Sequence, residues 1–450
     1  MPERDERPDG GEAMNRSVAA GRDDGPLPST TPNRSAKAMG LRTALGWTVA
    51  THVCRYLGLL VLVPFYGRVL GPDGYGQLVT AISVQMVVWI IANWGFSAAG
   101  TRIVASSRDR RAHVAEFGRQ VHGRMLTGSI ALIIGAGLTV AVPILRAEPA
   151  LGILATLNGI VSACNFGWFF QGRGRYREMA AIEVCNLMLG CALVVILVSG
   201  PADAVWALTG LLVANIVALA VASVAVLRDL GWNVGRPGQG LALMSESAAL
   251  FGAGGIAMIA AHASGLVVGL YASPSEVAYY GAAERIFSLV IAMTQPFDQV
   301  MLPAIAGRLG SNDRSGALRL MRRSIAALAA LGACAALVAS TAGDLVMPIV
   351  FGAAFGPSAV ILAAFAPAFL LMLLAHALNV YVLIALHRDR IVAMGLIIGT
   401  VAGLTALLLL VPAFGGVGAA IARSIAFAIT IAIVAGHLVR SGLFAELRRP

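Results

Sequence analysis

From residue 41 to 439 the chain alternates between apolar stretches of about twenty residues or more and short polar turns. A helix rising about 1.5 Å per residue needs roughly 20 apolar residues to cross a hydrocarbon layer about 30 Å thick. The runs predict twelve spanning helices, at about 41–66, 75–101, 121–145, 148–170, 178–199, 204–227, 244–271, 276–303, 322–342, 356–386, 390–411 and 415–439. Transmembrane barrels would instead show alternating segments of about ten residues. The expected fold class is therefore an all-α polytopic membrane protein.

The pattern also repeats at half length. Pro72 and Tyr75-Gly76 mark the turn between helices 1 and 2, and Pro274 and Tyr280-Gly281 the turn between helices 7 and 8. Six helices followed by six in the same orientation predict two lobes related by pseudo-two-fold symmetry. The expected organisation is a disordered tail at 1–40, an N-lobe at 41–230, a Gly/Pro-rich linker at 231–243, a C-lobe at 244–440 and a second short tail at 441–450.

Charge then orients the bundle, because Arg and Lys accumulate in loops on the cytoplasmic side. With the first tail inside, 28 of the 33 basic residues fall in segments on that side, and only Arg68 and Arg146 on the other. Arg55, Arg285 and Arg423 fall within helices. An even number of helices with both termini in the cytoplasm is thus expected, and adding or removing one would scramble the alternation downstream. The net charge of +10 is spread over these short loops rather than gathered on one soluble face, which argues against a nucleic-acid partner. A content of 58% hydrophobic and 12% charged residues agrees with a membrane location.

Several chemistries lack their signatures. No G-x-x-x-x-G-K-[ST] is present to cradle nucleotide phosphates, and neither H-E-x-x-H nor G-x-S-x-G occurs. Cys54, Cys164, Cys185, Cys191 and Cys334 lie in apolar spans without C-x-x-C spacing, so buried thiols are expected rather than a metal site. No loop is long enough to fold alone. Whatever the protein does is expected to occur within the bundle, without a cofactor and as a transporter rather than an enzyme.

Three stretches resemble oligosaccharide flippases of the polysaccharide-export type, the family that includes O-antigen flippases within the multidrug/oligosaccharidyl-lipid/polysaccharide exporter superfamily. They are RVLGPDGYGQL at 68–78 with NWGFSAAGTRIVA at 93–105, NFGWFFQGRGRYREMA at 165–180, and YYGAAERI at 279–286. Gly174 departs from the pattern, where an acidic residue is expected soon after the Gln-Gly. The resemblance implies alternating-access movement of a polyprenyl (pyro)phosphate-linked oligosaccharide across the cytoplasmic (inner) membrane, for surface or exopolysaccharide biosynthesis. It also implies membrane lipids, and a polysaccharide polymerase and export machinery, as partners. The alternatives are an ion-coupled multidrug exporter of the same superfamily and an integral-membrane polymerase or ligase.

An ionisable side chain near the bilayer centre costs at least about 2.5 kcal/mol, which makes each one a functional candidate. Arg55, with His52 one turn before it, suits a cavity wall that attracts phosphate, or else a structural pairing within the bundle. Arg285 and Arg423 have the same two readings, and the expected substrate-binding set is Arg55, His52, Arg285 and Arg423. Glu183 and Glu284 are candidate sites for a coupling proton or sodium ion, although Glu183 has Arg177 near it as a simpler partner. Asp298, Glu246, His262 and His376 raise similar questions, and Asn93, Asn158, Asn165, Asn186, Asn215 and Asn379 suit interhelical hydrogen bonds.

Overall fold

The computed structural model describes residues 41–231 and 239–442. Side chains of most residues between 41 and 60, and of several between 249 and 261, are outside the description. The expected tails at 1–40 and 443–450 and the core of the expected linker at 232–238 therefore lie outside the described residues, as do the side chains of His52 and Arg55.

Among the described residues all regular structure is helical, and nine helices are long and apolar enough to cross a membrane. Asp389–Arg440 has 52 residues, about 78 Å of helix, which is more than twice the hydrocarbon thickness. It folds back at Gly415, where φ is 51°. Leu41–Asn93 likewise holds two passes, joined at Gly71 with φ 64°. Only glycine enters such backbone freely, so the hairpins depend on these two residues. Gln239–Leu250, Phe251–Gly255 and Ile256–Tyr271 run on as one further pass. The result is twelve passes in two six-helix lobes related by pseudo-two-fold symmetry. Side chains such as Ile133, Ile196 and Leu409, each more than 70% exposed, project outward as lipid-facing surface does.

The face carrying the Gly71, Pro274 and Gly415 turns, opposite Leu41 and Arg440, is sealed between the lobes. Tyr75 packs on Phe351 and Phe355 at 6.0 and 5.7 Å, and Tyr279 on Phe355 at 6.1 Å. Arg68 Nη2 donates to Ile349 O at 2.7 Å. The paired glycines of the repeat meet at this crossing. A Cβ on Gly76 would overlap the Pro274 carbonyl, and one on Gly281 would lie 2.8 Å from Val79 Cγ1. Glycine is needed here for close approach, to the Pro274 backbone at Gly76 and to the Val79 side chain at Gly281.

Several passes are broken toward the termini face. The second stops at Asn93, and Trp94 (φ 44°) and Gly95 (φ 77°) redirect it into Phe96–Ser106. Trp94 anchors the bend by stacking on Phe251 at 4.0 Å and donating Nε1 to Met244 O at 3.1 Å. The fourth breaks between Pro149–Ala163 and Gly167–Gly172. At the C-terminal end of Gly167–Gly172, Gly174 (φ 70°) closes a Schellman cap, with Arg175 N donating to Phe170 O at 2.8 Å and Gly174 N to Gln171 O at 3.0 Å. That left-handed position favours glycine over an acidic side chain. The counter-charges for Arg175 come instead from Glu178 and from Asp229 at the end of the sixth pass.

Candidate functional site

A cavity of about 250 Å³ lies between the first, second, seventh, eighth and twelfth passes. Helix Pro274–Ala292 faces it with Gly281, Glu284, Arg285 and Ser288, the i, i+3, i+4, i+7 stripe of one helix side. The second pass contributes Tyr75, Val79, Ile82, Ser83 and Met86, the first Val63 and Tyr66, the seventh His262 and the twelfth Arg423. Two of the expected cationic residues, Arg285 and Arg423, thus share one chamber with the expected carboxylate Glu284.

The two arginines differ in state. Arg423 Nη2 donates to Glu284 Oε1 at 2.7 Å and lies 3.4 Å from Ser264 Oγ, with its guanidinium 5.9 Å from the Phe287 ring centroid. Arg285 is half-buried and makes no hydrogen bond or ion pair among the described residues. A guanidinium in that state presents a fork of donors suited to a phosphate. Glu284 is committed to Arg423 across helices rather than to its sequence neighbour.

Glu183 lies in the N-lobe on a larger cavity of about 520 Å³, bounded by the second, fourth, fifth and sixth passes. Asn186 and Asn215 line it too, and belong to a ladder of amides. Asn186 Nδ2 donates to Asn215 Oδ1 at 3.0 Å, Asn215 Nδ2 to Asn158 Oδ1 at 2.9 Å, and Asn158 Nδ2 to Leu208 O at 3.0 Å. The expected interhelical role of these asparagines is realised, with the ladder tying the fourth, fifth and sixth passes together.

Two polar clusters lie elsewhere, one at Arg124, which the sequence does not single out, and one that joins Asp298 and His376, which it does. Arg124, which reads as a loop charge for topology, is 5% exposed within helix Arg110–Ala141, and its Nη2 donates to Ser97 Oγ at 3.1 Å. In the C-lobe, His376 Nε2 contacts both carboxylate oxygens of Asp298 at 3.0 Å, and Tyr381 OH donates to Asp298. Tyr381 stands in a π-helical stretch, Leu378–Ile384, whose wider turn no local residue pattern announces. Among the described residues no three His, Cys, Asp or Glu side chains gather to hold a metal ion.

A family model described as polysaccharide biosynthesis protein matches residues 42–307. The chain is 23% identical over 396 residues to a protein of Escherichia coli (strain K12) named "Putative O-antigen transporter", covering 85% of this chain and 93% of that protein. Its fold resembles that of lipid II flippase MurJ in an inward closed conformation, with TM-score 0.60, 12% identity, and 88% of this chain and 87% of that one covered. It also resembles the inward-facing conformation of a multidrug resistance MATE family transporter of the MOP superfamily, with TM-score 0.56, 14% identity, and 87% and 99% covered.

Proposed function

The chain belongs to the polysaccharide biosynthesis protein family, and from that premise we propose that it is a flippase for a polyprenyl (pyro)phosphate-linked oligosaccharide. It carries this lipid from the inner to the outer leaflet of the cytoplasmic membrane during surface or exopolysaccharide synthesis, delivering it toward polymerase and export machinery. The observation that carries the reading is Arg285, a guanidinium without a protein partner among the described residues, on a chamber between the lobes. An intramembrane charge is costly, so one left unpaired suits a ligand that supplies the counter-charge. A pyrophosphate does so, whereas a cationic drug would be repelled.

The binding set is Arg285 and Arg423, with Arg55 and His52 extending it along the first pass. The lobes, 41–230 and 244–440, rock about the linker at 231–243 while the polyprenyl tail stays in the bilayer. Both termini face the cytoplasm, a reading supported by the concentration of basic residues on their side. Glu284 and Glu183, one on each cavity, are the carboxylates through which a proton or sodium gradient resets the cycle.

The test is translocation of the lipid-linked oligosaccharide in proteoliposomes, comparing wild type with Arg285→Ala and Arg55→Ala. Wild type is expected to translocate, and each variant to be at least about tenfold slower, the loss of one charged hydrogen-bonding partner being about 1.5–3 kcal/mol. The reading fails if wild type moves nothing while cells lacking the protein still display the polymer.

A further inference from the structure

We infer that the 520 Å³ N-lobe cavity is the subsite for the sugar head of the substrate, separate from the phosphate subsite at Arg285; this rests on the flippase reading above. The two cavities differ in chemistry. The one between the lobes is cationic, with Arg285 and Arg423 in its wall. Among the described residues the N-lobe cavity has no basic residue in its lining, and combines aromatic surface at Trp89 with amides at Asn93, Gln171, Asn186 and Asn215 beside the carboxylate of Glu183. A pyranose ring needs both, an apolar face for its C–H bonds and groups that donate and accept for its hydroxyls. Carboxamides do both from one side chain.

Two enclosed polar atoms of residues in this wall lack a partner among the described residues. Trp168, 3% exposed, has no acceptor for Nε1, and Asn186 has no donor for Oδ1 among the described residues. Asn93 is further biased toward donating. The chain Arg124 Nη2 to Ser97 Oγ, then Ser97 Oγ to Asn93 Oδ1 at 2.7 Å, occupies its carbonyl and leaves Nδ2 for a sugar oxygen.

The cavities also lie in series. Val79, Ile82 and Met86 of the second pass face the cationic one, and Trp89 and Asn93 the other. Their spacing of three and four keeps all five on one helix side. The ten steps from Ser83 to Asn93 rise about 15 Å along that side. A ligand with a phosphate at one end and sugars at the other fits this sequence of linings, with its sugars toward the termini face.

The experiment uses the full chain in lipid nanodiscs and two radiolabelled probes, polyprenyl pyrophosphate alone and the same lipid bearing a neutral disaccharide. Wild type is expected to bind the glycosylated probe at least about tenfold more tightly. Trp89→Ala and, separately, the exposed Gln171→Ala are expected to reduce that ratio toward one while keeping the affinity for the bare lipid, which also reports that each is folded. Arg285→Ala is expected to weaken both probes by the same factor. An unchanged ratio in both cavity variants, or no preference in wild type, overturns the subsite and leaves the flippase reading intact. Failure of wild type to bind either probe overturns both.

Discussion

Arg285 and Arg423 line one cavity and are expected to fail in different ways. Removing Arg423 leaves Glu284, whose side chain is 25% exposed, facing the cavity without that cation. Breaking a buried pair from one side costs about 3–5 kcal/mol when both groups are fully buried, and water in the cavity reduces this to about 2 kcal/mol. Arg423→Ala should therefore lower the thermal unfolding midpoint, and Arg423→Ala combined with Glu284→Gln should recover much of the loss. A double-mutant cycle giving a coupling near zero would contradict the pair. Arg285→Ala has no such orphan to create, so its stability is expected within about 0.5 kcal/mol of wild type while transport falls. Which arginine was paired was not legible in the sequence. Glu284 and Arg285 are about 100° apart around their helix, and only the position of the twelfth pass decides which cation reaches the carboxylate. Glu183 shows the same limit. It lines the N-lobe cavity beside Asn215, which only the packing of the sixth pass on the fifth brings there.

At the scale of elements, the twelve passes were legible because the bilayer imposes a minimum apolar length on each. Their breaks were not, because tertiary contacts select them. Pro296 suggests a kink in the eighth pass, yet the break falls at Met293, between Pro274–Ala292 and Thr294–Gly310. Proline is tolerated in the first turn of the new helix, and disruption moves ahead of it. Pro143 behaves alike, opening the short helix Pro143–Ala147 after the third pass has ended at Ala141. Helix Arg314–Thr341 also begins earlier than the expected 322, since Asp313 caps it through Oδ1, which accepts from Gly316 N at 2.8 Å. That backbone hydrogen bond, helped by Ser315, Arg308 and Arg319, holds the Asp313 carboxyl below its ordinary range. A carboxylate depressed in the folded state stabilises it at pH values above its unfolded pKa, near 3.9, and the benefit disappears as pH falls through the folded value. Asp313→Ala is thus expected to melt lower than wild type at pH 7, with the difference narrowing below about pH 4. A gap that persists unchanged at low pH would show that the charge contributes nothing.

For the whole molecule, alternating access requires the sealed face to part, and that face is held by surfaces with very different tolerance for change. The aromatic cluster of Tyr75, Tyr279, Phe351 and Phe355 is made of side chains that can slide apart and repack. The crossing sets Gly76 against the Pro274 backbone and Gly281 against the Val79 side chain, and its two contacts lie on the same pair of passes and separate together. Gly281 would bring a Cβ within 3.3 Å of Val79 Cβ, close to the 3.5–4.5 Å separation of a disulfide. In a background with the five native cysteines replaced, Val79→Cys with Gly281→Cys should therefore cross-link on mild oxidation. Translocation should stop in the oxidised protein and return on reduction, whereas either single variant should be unaffected by the oxidant. Full transport by the cross-linked protein would mean that the lobes do not part at this crossing. The cycle would then have to open the sealed face through the aromatic cluster alone, with the glycines serving as a fixed pivot.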